Sequence, residues 1–177
     1  GNIWKEDSFS LVMREAGKLC DRRADYEAIL AISGNAFAPS IITEDPFCRA
    51  TWRMFGKEKN IDLLARFIGL DAQKLVFPKP DPLPEPDEQG RTWGTPPFKE
   101  WIRNSKMQAA TVIGEAMNDG VVITNGGWSN YEWFVWGIIT EARTDGTIIG
   151  KTLGKPLVGS KDYCFMDHIQ EYWTVRP

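Results

Sequence analysis

Five prolines at alternate positions, Pro78, Pro80, Pro82, Pro84 and Pro86, divide this chain more firmly than any other feature of its sequence. Proline has no amide N–H and a fixed φ, so such a run can enter neither a helix nor a central strand. It has to run extended, in a polyproline-like conformation. Pro96 and Pro97 follow, and seven of the eleven prolines therefore fall between residues 78 and 97. The plainer reading of this stretch is a surface crossover inside one domain spanning residues 1–177, because long loops in compact domains are ordered by their neighbours. The alternative is an interaction module in which Pro80 to Pro86 dock onto a proline-recognising partner.

On the amino-terminal side the apolar pattern is helical. Phe9, Val12, Met13, Ala16 and Leu19 recur at helical spacing behind Asp7 and Ser8, both good caps, and predict a helix to about Leu19. Tyr26, Ile29, Leu30 and Ile32 predict a second helix from Asp25 to about Ser33, stopped by Gly34. Asp45-Pro46 starts a third that reaches about Phe55. Asn60 is expected to cap a fourth, Ile61 to Leu70, with Leu63, Leu64, Phe67 and Ile68 facing inward.

Beyond the prolines, a helix is expected from Phe98 to about Met117, ended by Asp119-Gly120. Val121 to Thr124 reads as a buried strand closed by Asn125-Gly126-Gly127. A hairpin follows, from Tyr131 to about Ala142, through a turn at Thr144-Asp145-Gly146, to Thr147–Thr152. Lys155 to Val158 and Trp173 to Val175 predict two more short strands, while Asp162 to Tyr172 reads equally as helix or loop. Helices first and an antiparallel sheet afterwards make an α+β fold.

Composition narrows the function. The net charge of -3 offers no field for nucleic acid or anionic lipid. No apolar run approaches the roughly 20 residues that span a bilayer. The first residues carry Lys5, Glu6 and Asp7 and do not read as a signal peptide. The start at Gly1 in place of Met suggests a trimmed or tagged product from which a targeting segment is missing, so the compartment is weakly bounded, with the cytoplasm favoured. Cys20, Cys48 and Cys164 are odd in number and widely spaced, which argues against a disulfide framework and a structural zinc site. With one histidine, no multi-His metal site forms within a subunit. Cys164 and His168 would share a helix face beside Asp167, but a closed zinc site needs four ligands, and no metal or cofactor is expected.

One constellation points to chemistry. Asn2-Ile3-Trp4-Lys5-Glu6-Asp7-Ser8 leads into the first helix, so Ser8 stands where a helix dipole stabilises an anion. An amide side chain six residues upstream of a nucleophile supplies an oxyanion donor in papain-like enzymes, and Asn2 has that spacing. In these residues the chain resembles the cysteine peptidases that trim double-glycine leaders from bacteriocins, and more closely their butirosin-biosynthesis protein H-like relatives. The stretch from Tyr26 to Phe37 is similar to the segment after the first helix of such relatives. Tyr131-Glu132-Trp133-Phe134-Val135 is similar to their strand bearing the catalytic His. The resemblance implies a papain-like fold over nearly the whole chain.

The departures imply that the chemistry is gone. Ser8 stands at the nucleophile position, and Tyr131 or Glu132 at that of the His, depending on register. Neither exchanges protons near neutral pH as imidazole does. Where an Asp or Asn would orient the His, about sixteen residues on in the triad logic, stand Ile148, Ile149 and Gly150. The expectation is a noncatalytic papain-like domain that binds a peptide, or a small amide- or acyl-bearing ligand, between helix one and the hairpin. Ser8 and Glu132 would form the floor, Trp128 or Trp133 the walls, and Gly126-Gly127 would allow close approach. Trp93 and Trp136 also flank this region. Trp133 and Val135 should share one sheet face and Phe134 and Trp136 the other. The competing account puts these indoles in the core. The other open alternative is an active acyl transferase or hydrolase that uses Ser8 with an unconventional base such as Glu132.

Overall fold

The computed structural model describes residues 8–23, 25–32, 58–79, 81–124, 128, 136–152, 155–158 and 171–177. The expected helix at 45–55 and most of 162–172 lie outside these. Among the described residues the chain forms four helices: α1 (Ser8–Leu19), α2 (Tyr26–Ile32), α3 (Glu58–Phe67) and α4 (Pro96–Asp119). It also forms six strands, β1 (Asp71–Lys74), β2 (Val121–Thr124), β3 (Gly137–Ala142), β4 (Ile148–Thr152), β5 (Lys155–Val158) and β6 (Tyr172–Arg176). The strands make one sheet in the order β1-β6-β2-β3-β4-β5. Every neighbouring pair is antiparallel, so the fold is α+β.

Alternation along the strands sends side chains to two separate cores. Val121 and Ile123, Ile138, and Trp173 and Val175 face one side, where they meet Phe9, Val12, Met13 and Ala16 of α1 together with Ile61 and Leu64 of α3. Val122, Ile139, Ile148 and Tyr172 face the other and pack on Ile113 and Ala116 of α4. The sheet is thus covered on both faces. The second layer is supplied by α4.

Helix periodicity explains which apolar residues the layers use. On α1 the buried stripe is continued by Cys20, while Leu19 is exposed at the helix end. On α3, Ile61, Leu64, Ala65 and Ile68 are buried, whereas Leu63 and Phe67, expected inside, are 63% and 62% exposed. Residues i, i+3, i+4 and i+7 share a helix face, and Leu63 and Phe67 fall off it. The start of α3 at Glu58 also puts Asn60 inside the first turn, not at the cap.

The helix ends are closed locally. Arg22 donates its backbone N–H to Gly17 O and Asp21 to Lys18 O, a Schellman arrangement with Asp21 at φ 55°. Leu70 and Gly69 repeat the pattern on α3, donating to Ala65 O and Arg66 O. The Arg22 Nε then donates to Gly69 O at 3.1 Å, joining the two ends. The hairpin turn falls where expected: Gly146 donates to Arg143 O and Arg143 to Thr147 O.

Candidate functional site

The register of three adjacent strands defines the end of the sheet nearest the start of α1. Thr124 pairs with both Gly137 and Tyr172, so Trp136 and Glu171 stand level with each other, one residue before β3 and β6. Two strand spacings separate them, about 10 Å. Trp136 belongs to the core on the α1 side, and Glu171 is held to that side by the indole of Trp173, whose Nε1 donates to Glu171 Oε2 at 3.2 Å. Phe9, the second residue of α1, is fully buried and meets Trp136 edge-on, with ring centroids 4.9 Å apart. The Trp136 carbonyl is fixed in turn by the Thr152 hydroxyl, which donates to it at 2.6 Å. The amino end of α1, the entrance of β3 and a carboxylate thus gather on one face at one end of the sheet.

Glu171 is the residue that the sequence reading missed. It is only 9% exposed, and Lys74 Nζ lies 4.0 Å from its Oε1. A carboxylate buried to this degree has to be compensated by partners such as the indole and the ammonium. Its position inside the ambiguous 162–172 stretch concealed it, although Glu-x-Trp at the start of a closing strand places both side chains on one face.

The residues expected to form the site distribute unevenly. Ser8 is the first residue of α1, and its neighbour Phe9 reaches the entrance of β3. Asn2, Gly126, Gly127, Tyr131, Glu132 and Trp133 lie outside the described residues, as do Cys48, Cys164, Asp167 and His168. Trp128 is 1% exposed and belongs to the α4-side core with Val122, Ile139 and Ile148. It is packed as a core residue and stands open to no solvent-filled cleft. The physical reason is the glycine opposite. At Gly150 a Cβ would lie 2.6 Å from Trp128 Cη2, so the indole occupies the space that a side chain would take. Thr124, by strand alternation, faces this same side, and its buried hydroxyl has no hydrogen-bond partner among the described residues.

Cys20, the one described cysteine, is buried, and its thiol donates to Val175 O at 3.7 Å. Burial pushes this thiol up from its ordinary range, the opposite of what a nucleophile needs. No group of three His, Cys, Asp or Glu among the described residues could hold a metal ion. Nor is any helix among them long and apolar enough to cross a membrane.

A cleft of about 370 Å³ lies elsewhere, between the proline-rich stretch and the start of α4, lined by residues that include Glu85, Asp87, Arg91, Trp93, Pro96 and Pro97. It is built by a tight turn. Asp87 donates its N–H to Arg91 O, and Gly90, at φ 74°, donates to Asp87 O. That left-handed conformation suits glycine. Asp87 Oδ1 accepts the N–H groups of Gln89 and Arg91, while Oδ2 takes the Arg91 side chain at 3.0 Å. These bonds, the Arg91 N–H first among them, hold the Asp87 carboxyl below its ordinary value. Trp93 then lies against Phe98, ring centroids 4.6 Å apart, and Phe98 stacks on Trp101. The Trp101 Nε1 donates to Asp81 O at 2.8 Å and ties the proline stretch to α4. The alternate prolines of that stretch do not repeat at the three-residue period of a polyproline helix, so they form no single proline face for a partner.

Comparison of the chain with protein-family models, with curated proteins and with solved structures gave no match.

Proposed function

We propose that this chain is a binding domain of papain-like fold without peptidase chemistry, and that it takes a peptide, or a small amide- or acyl-bearing ligand, beside the amino end of α1. The observation that carries the reading is the seating of Phe9 on Trp136, level with Glu171, at one end of the sheet. In a papain-like enzyme the helix with the nucleophile starts where the strand with the base enters the sheet. Here that junction holds the start of a helix, where the dipole favours a carbonyl oxygen, and a buried carboxylate. The carboxylate suits an amide N–H. At the positions of nucleophile and base the sequence offers Ser8 with Tyr131 or Glu132, and its one His, His168, lies outside the described residues. A hydroxyl without a base is a weak nucleophile, which favours binding over turnover.

The test combines reactivity with binding. Folded protein is treated with a fluorophosphonate and with iodoacetamide, and separately titrated with an acetylated peptide ending in Gly-Gly while backbone amides are followed by NMR. The expected result is no stoichiometric labelling, together with shifts at Phe9, Gly137 and Trp173 that Glu171→Gln weakens. Labelling or peptide cleavage that disappears in Ser8→Ala would replace this reading with the acyl-transferase or hydrolase alternative. Absence of any shift at millimolar peptide would remove the ligand claim.

A further inference from the structure

The cleft at the start of α4 is a separate feature. Phe98 and Ile113 lie fifteen residues apart on one helix, about 22 Å at 1.5 Å per residue. Phe98, Trp101 and Ile102 form a small core of their own, apart from both cores on the sheet. Against it lies an indole that does not follow the burial of its fellows. Trp93 is 67% exposed, whereas Trp101, Trp128, Trp136 and Trp173 are all buried. A broad indole left open costs contact with water unless something covers it.

The charges around it choose between ligands. Arg91 spends both Nε and Nη2 on Asp87, at 3.0 and 2.9 Å, so that pair is neutral as a unit. Glu85 has no hydrogen bond or ion pair among the described residues, which leaves the cleft one uncompensated negative charge. A helix start ordinarily favours an anion, yet the usual donors of this one have been removed. Pro96 and Pro97 occupy the first two helical positions and carry no N–H, and Lys99 already donates to Thr95 O. Thr95 directs its hydroxyl to Thr92 O and caps nothing. The cleft therefore offers an open π face and a carboxylate, with little to hold an anion. Its volume of about 370 Å³ suits a small ligand group.

We propose that this cleft binds an organic cation, an alkylammonium or guanidinium group that lies on the open face of Trp93 and pairs with Glu85. Tryptophan is the strongest aromatic partner for such a cation, and a neighbouring carboxylate adds a charge contact that a neutral ligand of the same shape cannot make. The quantity to measure is that difference.

The experiment uses the full chain, labelled with 15N, with the Trp93 indole signal assigned by its loss in Trp93→Phe. Choline, N-acetyl-lysinamide and N-acetyl-argininamide are titrated at constant ionic strength against 3,3-dimethylbutan-1-ol, the neutral isostere of choline. The expected result is a saturable shift of the Trp93 indole with at least one cation, and about fivefold or weaker binding of the isostere. Glu85→Gln should weaken the cation by about three- to tenfold and leave the alcohol unchanged. Glu85 is exposed, so this variant does not endanger folding. Preference for choline would assign the site to a free quaternary ammonium, and preference for the amino-acid amides to a basic side chain of a peptide. Equal binding of choline and its isostere, no change in Glu85→Gln, or no shift with any cation at 100 mM, on the order of the weakest binding worth the name, would each overturn the proposal.

Discussion

Gly150→Ala offers the sharpest test of where Trp128 stands. Gly150 lies in β4, opposite Ile139 of β3. A Cβ added there would meet the Ile138 carbonyl oxygen at 2.6 Å and Trp128 Cη2 at 2.6 Å, where ordinary contact begins near 3.4 Å. One neighbour is backbone inside a ladder and the other an indole enclosed by the core, so neither can yield cheaply. Overpacking of this kind costs about 3 kcal/mol at the upper end of its usual range. Loss of the glycine's freedom in the unfolded chain returns about 0.5–1 kcal/mol, leaving about 2 kcal/mol net. For a chain of this length that lowers Tm by about 4–8 °C. Thermal and urea unfolding of wild type, Gly150→Ala, Trp128→Phe and the double variant would measure it. Phenylalanine lacks the second ring, which contains Cη2, so the double variant should be more stable than additivity allows by about 1 kcal/mol. A Gly150→Ala protein as stable as wild type, or costs that add within about 0.5 kcal/mol, would refute the reasoning. Trp128 would then be free to leave its place, and its role as the wall of an open cleft would return.

Three further outcomes follow from the same packing. Gly114→Ala, in the interior of α4, adds a Cβ that meets only the Ala142 Cβ at 4.0 Å, and should stabilise by about 0.5–1 kcal/mol in urea unfolding. Thr124→Val removes a buried hydroxyl that has no partner among the described residues, and should raise stability by about 1 kcal/mol; a loss instead would show that the hydroxyl is satisfied by another residue, bound water or ligand. The Asp87 carboxyl is held low by the Arg91 N–H and side chain. Its folded pKa is depressed, so its contribution is present above the unfolded value near 3.9 and is lost as pH falls through the folded value, in a window below about pH 4. A carboxyl 13C titration placing Asp87 at or above 3.9 would contradict the turn geometry.

Much of the fold was legible because local rules and tertiary packing agree over most of it. Val121 to Thr124 is a continuous apolar run and forms β2 with those bounds, and Lys155 to Val158 forms β5. The long helix starts at Pro96, two residues before the expected Phe98, because proline at the first helical positions costs no hydrogen bond. Where the readings failed, distant partners decide. Asp-Ala-Gln-Lys has little strand propensity, yet Asp71 to Lys74 form β1 because Ala72 pairs with Val175 at the sheet edge. Leu63 and Phe67 are apolar residues on an amphipathic helix, and only the position of the sheet decides which side of α3 is inside. Of the candidate site, the start of α1 at Ser8 was legible from capping and periodicity. Glu171 was not, since its burial depends on Trp173 beside it and on Lys74 from a strand that the sequence does not announce.

The exposed indole of Trp93 has a related cause, and it bears on how the two proposed sites are coupled. Trp128, Trp136 and Trp173 are buried by the sheet, which is assembled from residues far apart in sequence. Trp93 is placed by a turn and a helix start a few residues long, in which Asp87, Gly90, Thr95 and two prolines settle the backbone locally. Such a segment can hold its shape without contact with the sheet; the Trp101–Asp81 bond closes it on α4, and it joins the remainder through α4 and through Leu75 and Phe77, which pack on the α4-side core. A straight helix transmits displacement only if it moves as a body, and the carboxyl-terminal half of α4 is fixed by Ile113 and Ala116 in the core. Occupation of the Trp93 cleft should therefore leave the surroundings of Phe9 and Glu171 unchanged, so that the cation site and the site beside α1 can be tested, and can fail, independently.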